Sequence, residues 1–301
     1  MTKLVDTGKQ MSLDPIARIR RFNRAVTRAT GALDQSFLGR GRPLGPARVI
    51  HAIGHKGGDL ETLRVYLGLD KTVLSRLLKS LQDEGLITLH IAPQDGRRRV
   101  AELTKAGQTE LAAYDALSNA QARDLLDRHV SSETLLQAMD LIASALGQDE
   151  VVLRETDPRS PDALFCLHAY YDELARRFKT GFDVNLSRDP DAADMLRPRG
   201  TFIVAFSDGM PLGCVGLKGT DKDFAEIKRL WVSPSARGLG MAHRLMHRVE
   251  EVARDLGITT LRLDTNSALP EAVALYRNTG WTEIDRFNDD PYPDHFFEKH
   301  L

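Results

Sequence analysis

The chain has 301 residues, 42% of them hydrophobic and 28% charged, and a net charge of −1, which excludes a disordered or fibrous chain and favours two soluble globular domains. No apolar run is long enough to span a bilayer and the first residues do not read as a signal peptide, so no membrane partner and a cytoplasmic location are expected. Cys166 and Cys214 lack CxxC spacing, which argues for thiols in a reducing compartment and against a disulfide or a metal site, so no metal is expected.

The charge is unevenly spread. Residues 1–100 hold 18 Lys and Arg against 9 Asp and Glu, whereas residues 148–301 hold 20 against 26. A basic first third on a neutral chain suggests a polyanionic partner for that part alone.

Residues 13–38 read as a long helix, with Ile16, Ile19, Phe22, Val26 and Leu33 near one face and five arginines on the others. A Gly- and Pro-rich break over 39–46 follows, then a short helix over 46–53. His51, His55 and Lys56 cluster near the following turn; an effector pocket is one reading, and the favoured one is ordinary surface residues. Residues 60–66 form a helix, Gly68 a turn, and Asp70 a cap for a second helix over 71–84. In that helix Leu74, Leu77, Leu78 and Leu81 recur at helical spacing and face inward. The opposite face carries Thr72, Ser75, Arg76 and Lys79, the small donors and cations that a recognition helix needs in a major groove. Strands over 86–91 and 100–103 flank a turn at 93–96 and the run Arg97, Arg98, Arg99, a hairpin whose cationic tip suits phosphate or minor-groove contact. Helices over 108–129 and 132–146 close this part, with a stripe that includes Leu111, Leu117, Leu125, Leu136 and Leu141.

The stretch from Leu63 to Ile87, the Asp95-Gly96-Arg97-Arg98 wing and Leu103-Thr104-Lys105-Ala106-Gly107 resemble the MarR family of winged-helix regulators, over roughly residues 13–147. The resemblance implies a homodimer built from the first and last helices, with two recognition helices about 34 Å apart on a palindromic double-stranded DNA operator.

Past a polar junction at 147–150, residues 151–154 read as an edge strand and 161–179 as a helix. Strands over 201–206 and 212–218 flank Asp208-Gly209, a two-residue hairpin signature, and a third strand runs over 224–232. Ser233-Pro234 ends it, and Arg237-Gly238-Leu239-Gly240-Met241-Ala242 opens a helix expected over 238–256. A strand, a Gly-containing turn and a helix start make an anion site, because the first N–H groups of the helix have no partner inside it and Arg237 adds a fixed charge. A strand over 260–264, a helix over 271–278, and strands over 281–284 and 295–299 complete the chain.

The turn is similar to the Arg/Gln-x-x-Gly-x-Gly/Ala motif of the GNAT N-acetyltransferases, with Arg237, Gly240 and Ala242 in its defining positions. The segment from Leu275 to Trp281 matches that family's Leu-Tyr-x-x-x-Gly-aromatic motif, and the resemblance covers roughly residues 150–301. It implies acetyl-coenzyme A as co-substrate, its pyrophosphate on residues 237–242 and its pantetheine arm along Leu230, Trp231 and Val232, beside a neighbouring strand splayed away. By the same resemblance Tyr276 is the general acid toward the coenzyme sulfur. Glu226 is the candidate general base, against a structural carboxylate paired with Lys228 or Arg262. Many members carry an Asn where this chain has Leu269, and Asn266 stands nearby as a candidate contact for the pantetheine arm. Tyr170, Phe182 and Tyr292 are candidates for the acceptor site, which suits an amino acid, a small amine or a peptide N-terminus.

The expectation is therefore two domains, a mainly α MarR-like winged helix-turn-helix over 1–147 and an α/β GNAT fold with a mixed, mostly antiparallel sheet over 148–301. The expected function is an acetyl-coenzyme A-dependent N-acetyltransferase fused to a DNA-binding regulator. The alternative is a regulator whose GNAT part senses coenzyme A or an amine without turnover.

Overall fold

The computed structural model describes residues 14–91, 98–179, 181–183 and 192–301. The chain divides into two compact units between Val130 and Ser131.

The first unit is mainly helical: α1 Pro15–Ala29, α2 Leu44–Lys56, α3 Leu60–Leu67, α4 Lys71–Asp83, a hairpin of β1 Ile87–Ile91 and β2 Arg99–Leu103, and α5 Lys105–Asp127. α1 is shorter than the helix expected over 13–38, because Thr30 caps it and Gly31 turns the chain with φ +64°. Asp59 caps α3 and Asp70 caps α4, each accepting from free N–H groups of the first turn. Ala47, Val49, Ile50, Ile53, Leu63, Leu67, Leu74, Leu78, Leu81 and Ile87 form one buried core. α4 gives that core its Leu face and leaves Thr72, Ser75, Arg76 and Lys79 exposed.

The second unit contains α6 Ser132–Leu146, β3 Val152–Glu155, α7 Pro161–Arg177, β4 Thr201–Ser207, β5 Met210–Lys218, β6 Ala225–Val232, α8 Met241–Asp255, β7 Thr260–Thr265, α9 Pro270–Asn278, β8 Thr282–Glu283 and β9 His295–His300. α6 packs on the short 3-10 turn after β6, where Ser144 Oγ meets Ser235 Oγ at 3.4 Å. The seven strands run in the order β3-β4-β5-β6-β7-β9-β8, and only β6 and β7 are parallel. The sheet is thus mixed and mostly antiparallel, as expected.

Period-two alternation sends β4 to β7 into two cores. Ile203, Val215, Leu217, Ile227 and Leu263 pack on Leu245, Met246, Val249 and Val252 of α8. Phe202, Val204, Phe206, Cys214 and Trp231 pack on Ala163, Cys166 and Leu167 of α7. Both cysteines are free thiols in this second layer. At about 1.5–3 kcal/mol per large apolar side chain, these layers fix the sheet between α7 and α8.

The strand expected over 281–284 is reduced to Thr282–Glu283, since Trp281 is buried against Tyr276 instead of pairing. The helix expected over 238–256 starts at Met241 because Gly238 and Gly240 hold left-handed φ values of +76° and +75°. Among the described residues, no helix is long and apolar enough to cross a membrane.

Candidate acetyl-transfer site

β6 pairs with β7 only from Ala225 to Ile227, opposite Leu261 to Leu263. Beyond that the strands part, so no ladder of β7 covers β6 from Lys228 onward. The divergence follows a bulge: Lys228 faces Gly216 and Trp231 faces Cys214, so Arg229 and Leu230 together oppose a single residue, Val215. Arg229 takes a φ of +59° there, and Cys214 Sγ donates to its carbonyl at 3.3 Å.

The gap opens a cleft of about 590 Å³. Leu230, Trp231, Val232, Arg237, Gly238, Gly240, Met241 and Ala242 line one side of it, with Ala272, Leu275 and Asn278 of α9 on the other. Leu239 of the same turn is not in the lining. Gly240 caps α8 without any side-chain hydrogen bond, so the first-turn N–H groups carry no side-chain cap. A Cβ on Gly238 or Gly240 would meet open space, but an L side chain at these φ values would be strained. The turn therefore presents bare backbone to the cleft, which is the geometry of an anion cradle.

Arg237 is engaged on both sides: Nε donates to the Val232 carbonyl at 3.0 Å, and Nη2 is paired with Glu173 of α7. Glu173 also accepts from Trp231 Nε1 at 3.1 Å. Arg177 lies 3.4 Å from Glu173 and is paired with Glu271 as well, so two acids and two arginines ring the mouth of the cleft.

A second pocket adjoins the first, and Tyr170, Leu174 and Leu269 line both. Tyr170, Phe182 and Tyr292, far apart in sequence, come together in its wall. The rings of Phe182 and Tyr292 are 4.8 Å apart, and Tyr171 stacks on Phe182 at 5.8 Å. Lys228, Arg229, Asp264 and Asp290 supply its charges. Lys228 Nζ donates to Asp264 at 2.6 Å and lies 3.2 Å from Glu226. Burial alone would lower the Lys228 pKa, but the charges of Asp264 and Glu226 outweigh it and raise it, so the ammonium stays charged. Burial pulls the Arg229 guanidinium below its usual value.

Glu226 is buried behind Lys228, with Lys218 at 3.9 Å, and lines neither pocket. Asn266 lines the second pocket but spends its amide on the loop, donating to the Tyr292 carbonyl at 2.6 Å and accepting from Ala268 N–H at 2.8 Å. Tyr276 is buried on α9 against Trp281 and Phe297, next to Leu275 of the cleft wall. Burial and then the charge of Asp264 push its phenol well above the ordinary value, so it holds its proton at neutral pH. Burial and the same carboxylate raise Tyr170 too.

Sequence reasoning missed Glu173, Lys228, Arg229, Asp264 and Leu269 as lining residues. Strand parity carries a signal for Lys228, two residues from Glu226 on the same face of β6. Nothing local marks Glu173 or the bulge at Arg229.

In the helical unit, Lys79 pairs with Asp83 at 2.8 Å and Arg98 with Asp59 at 3.0 Å, which pins the base of the hairpin to the cap of α3. Arg99 is the first residue of β2, opposite Ile91. Arg97 lies outside the described residues.

Residues 167–281 match the family model for the GNAT acetyltransferases, and residues 41–98 match that of the MarR family. The chain is 35% identical to an IAA acetyltransferase of Azospirillum brasilense over 116 residues, which span 37% of this chain and 74% of that protein. It is 31% identical to an uncharacterized N-acetyltransferase of Schizosaccharomyces pombe over 120 residues, 38% of this chain and 74% of that one. A solved GNAT-family acetyltransferase from Staphylococcus aureus Mu50 aligns with a TM-score of 0.44 at 20% identity, over 50% of this chain and 99% of that structure.

Proposed function

The chain belongs to the GNAT acetyltransferase family and carries a MarR-family segment, and on that premise we propose that it moves the acetyl group of acetyl-coenzyme A onto a primary amine and binds DNA through its helical unit. The observation that carries the first half is the meeting of the two pockets at Tyr170, Leu174 and Leu269. A thioester lying along Leu230, Trp231 and Val232 would end where an amine in the aromatic pocket begins.

In this reading the backbone N–H groups from Gly238 to Ala242 and the Arg237 guanidinium hold the pyrophosphate. The amine enters between Tyr170, Phe182 and Tyr292. An ammonium cannot attack, so it first yields a proton to the carboxylate row of Asp264 and Glu226, with Asp264 nearer the pocket and Glu226 behind Lys228. The amine nitrogen then bonds to the thioester carbon, the carbon–sulfur bond breaks, and the Tyr276 hydroxyl gives its proton to the departing thiolate, while the second proton that the nitrogen sheds on becoming an amide returns through solvent to the Tyr276 phenolate. A phenol kept neutral by burial suits that role.

In the helical unit, Thr72, Ser75, Arg76 and Lys79 on the exposed face of α4 are the proposed groove contacts. Arg97, Arg98 and Arg99 are the proposed phosphate contacts of the wing, Arg98 through whatever its tie to Asp59 leaves accessible. The partner is double-stranded DNA, bound by a homodimer on a palindrome.

The test is a titration of acetyl-coenzyme A followed by a free-thiol assay over a panel of amino acids, small amines and peptides. Thiol release is expected with at least one acceptor. Tyr276→Phe should then lower kcat roughly 100-fold or more while the coenzyme Kd stays within about twofold, and Asp264→Asn should lower kcat/KM more than Glu226→Gln does. Coenzyme binding without release on any amine would instead support a sensor. Absence of binding would overturn the assignment of the turn at Arg237.

A further inference from the structure

One cluster of ligating side chains lies apart from the acetyl-transfer site, in the helical unit. His51 and His55 are four residues apart on α2 and project from one face of it, with ring centroids 4.3 Å apart. Asp115 reaches the same place from α5, its Oδ2 3.6 Å from His55 Nε2. One ligand atom from each of the three lies within 4.8 Å of both others. The approach is built into the helix packing. A Cβ on Gly54 would stand 2.3 Å from the side chain of Leu111, so α2 and α5 come together where only glycine leaves room. Asp115, one turn beyond Leu111, is thereby brought beside the two imidazoles.

We propose that His51, His55 and Asp115 bind a divalent transition-metal ion of the zinc class. Two imidazole nitrogens and one carboxylate oxygen suit zinc, cobalt or nickel, whereas calcium and magnesium take all-oxygen shells. Bonds of about 2.0–2.2 Å around a tetrahedral ion set donors roughly 3.3 Å apart. The His55–Asp115 pair, at 3.6 Å, is already close to that spacing, and the other separations, all within 4.8 Å, close by at most about 1.5 Å through side-chain rotation, which the exposure of both histidines allows. Three protein donors leave a fourth position for water, an open site. The ion would tie α2, which packs against α4, to α5.

The test uses the full chain without a histidine tag, stripped with chelator. Zinc is titrated against a chromophoric competitor, and cobalt is followed by the visible absorption of its four-coordinate state. One ion per chain is expected, together with a rise in melting temperature on adding zinc. His55→Ala and Asp115→Asn, both at accessible positions, should each weaken binding more than about 100-fold, since even outer-shell partners of a ligand are worth 10–100-fold. Both variants should also lose the thermal shift. No binding to the wild type at 100-fold excess of ion would overturn the proposal. Wild-type affinity in both variants would overturn it as well, by assigning the ion to other side chains.

Discussion

Glu173 accepts from two donors at the mouth of the larger cleft, the indole of Trp231 and the guanidinium of Arg237. A phosphate arriving at the turn must share Arg237 with that carboxylate or displace it, and in either case a like charge stands beside it. Glu173→Gln keeps an acceptor for the indole and removes the charge. Because Arg237 is partly exposed, the effect is discounted to the range of surface pairs, about 0.2–1 kcal/mol. Acetyl-coenzyme A should therefore bind up to about fivefold more tightly to the variant, measured by calorimetry. Weaker binding would mean that Glu173 aims Arg237 at the ligand. Arg237 was legible because the turn is a local pattern. Glu173 was not, because its partner is supplied by the packing of α7 across the sheet, and no spacing in the sequence encodes that contact.

At the scale of elements, Glu110 of α5 ties down the segment between α1 and α2. It accepts from Arg40 Nε at 3.1 Å and from Arg42 Nη1 at 2.8 Å, and the Arg40 hydrogen bond holds its carboxyl below the ordinary glutamate range. With the native pKa lower than the unfolded one, the unfolded chain binds more protons in acid. The contribution is thus complete above the unfolded value, near pH 4.3, and fades as pH falls below it. Glu110→Gln should cost about 1–3 kcal/mol at pH 7, allowing for the exposure of Arg40. That difference should shrink toward pH 3.5, read by hydrogen exchange at α5 amides. A gap that stays constant with pH would rule out the ionised contact as its source. Helices and strands with clean periodicity were readable within a few residues, as α4 and β4 show. One failure has a tertiary cause, since Trp281 leaves its strand to pack on Tyr276; the other is local, since α1 ends at Ala29 where the turn at Thr30 and Gly31 overrides an apolar pattern that continues to Leu33. The Arg229 bulge, which opens the cleft, has no marker such as glycine in the strand.

At the scale of the whole molecule, α1 poses a problem of unsatisfied burial. None of its residues is buried, and Ile16, Ile19, Phe22 and Val26 stand 63%, 57%, 39% and 41% exposed along one stripe. An isolated helix of 15 residues is marginal in water, so a stripe of this kind calls for a covering surface. In the proposed dimer a second copy of the chain would cover this stripe and bring two α4 helices to two half-sites. Ile19→Lys places a charge in the middle of the stripe without touching the unit's own core. It should convert the proposed dimer to a monomer in analytical ultracentrifugation, and the slope of log affinity against log salt on a palindromic duplex should fall to about half, because one copy releases half the counterions. Arg76→Ala makes the complementary case: the dimer persists, and the slope drops by roughly two, one phosphate for each copy, if Arg76 meets the backbone. If it reads a base instead, the slope holds and sequence preference relaxes. An Ile19→Lys protein that stays dimeric with unchanged operator affinity would show that α1 is covered some other way, and the palindrome would lose its physical basis.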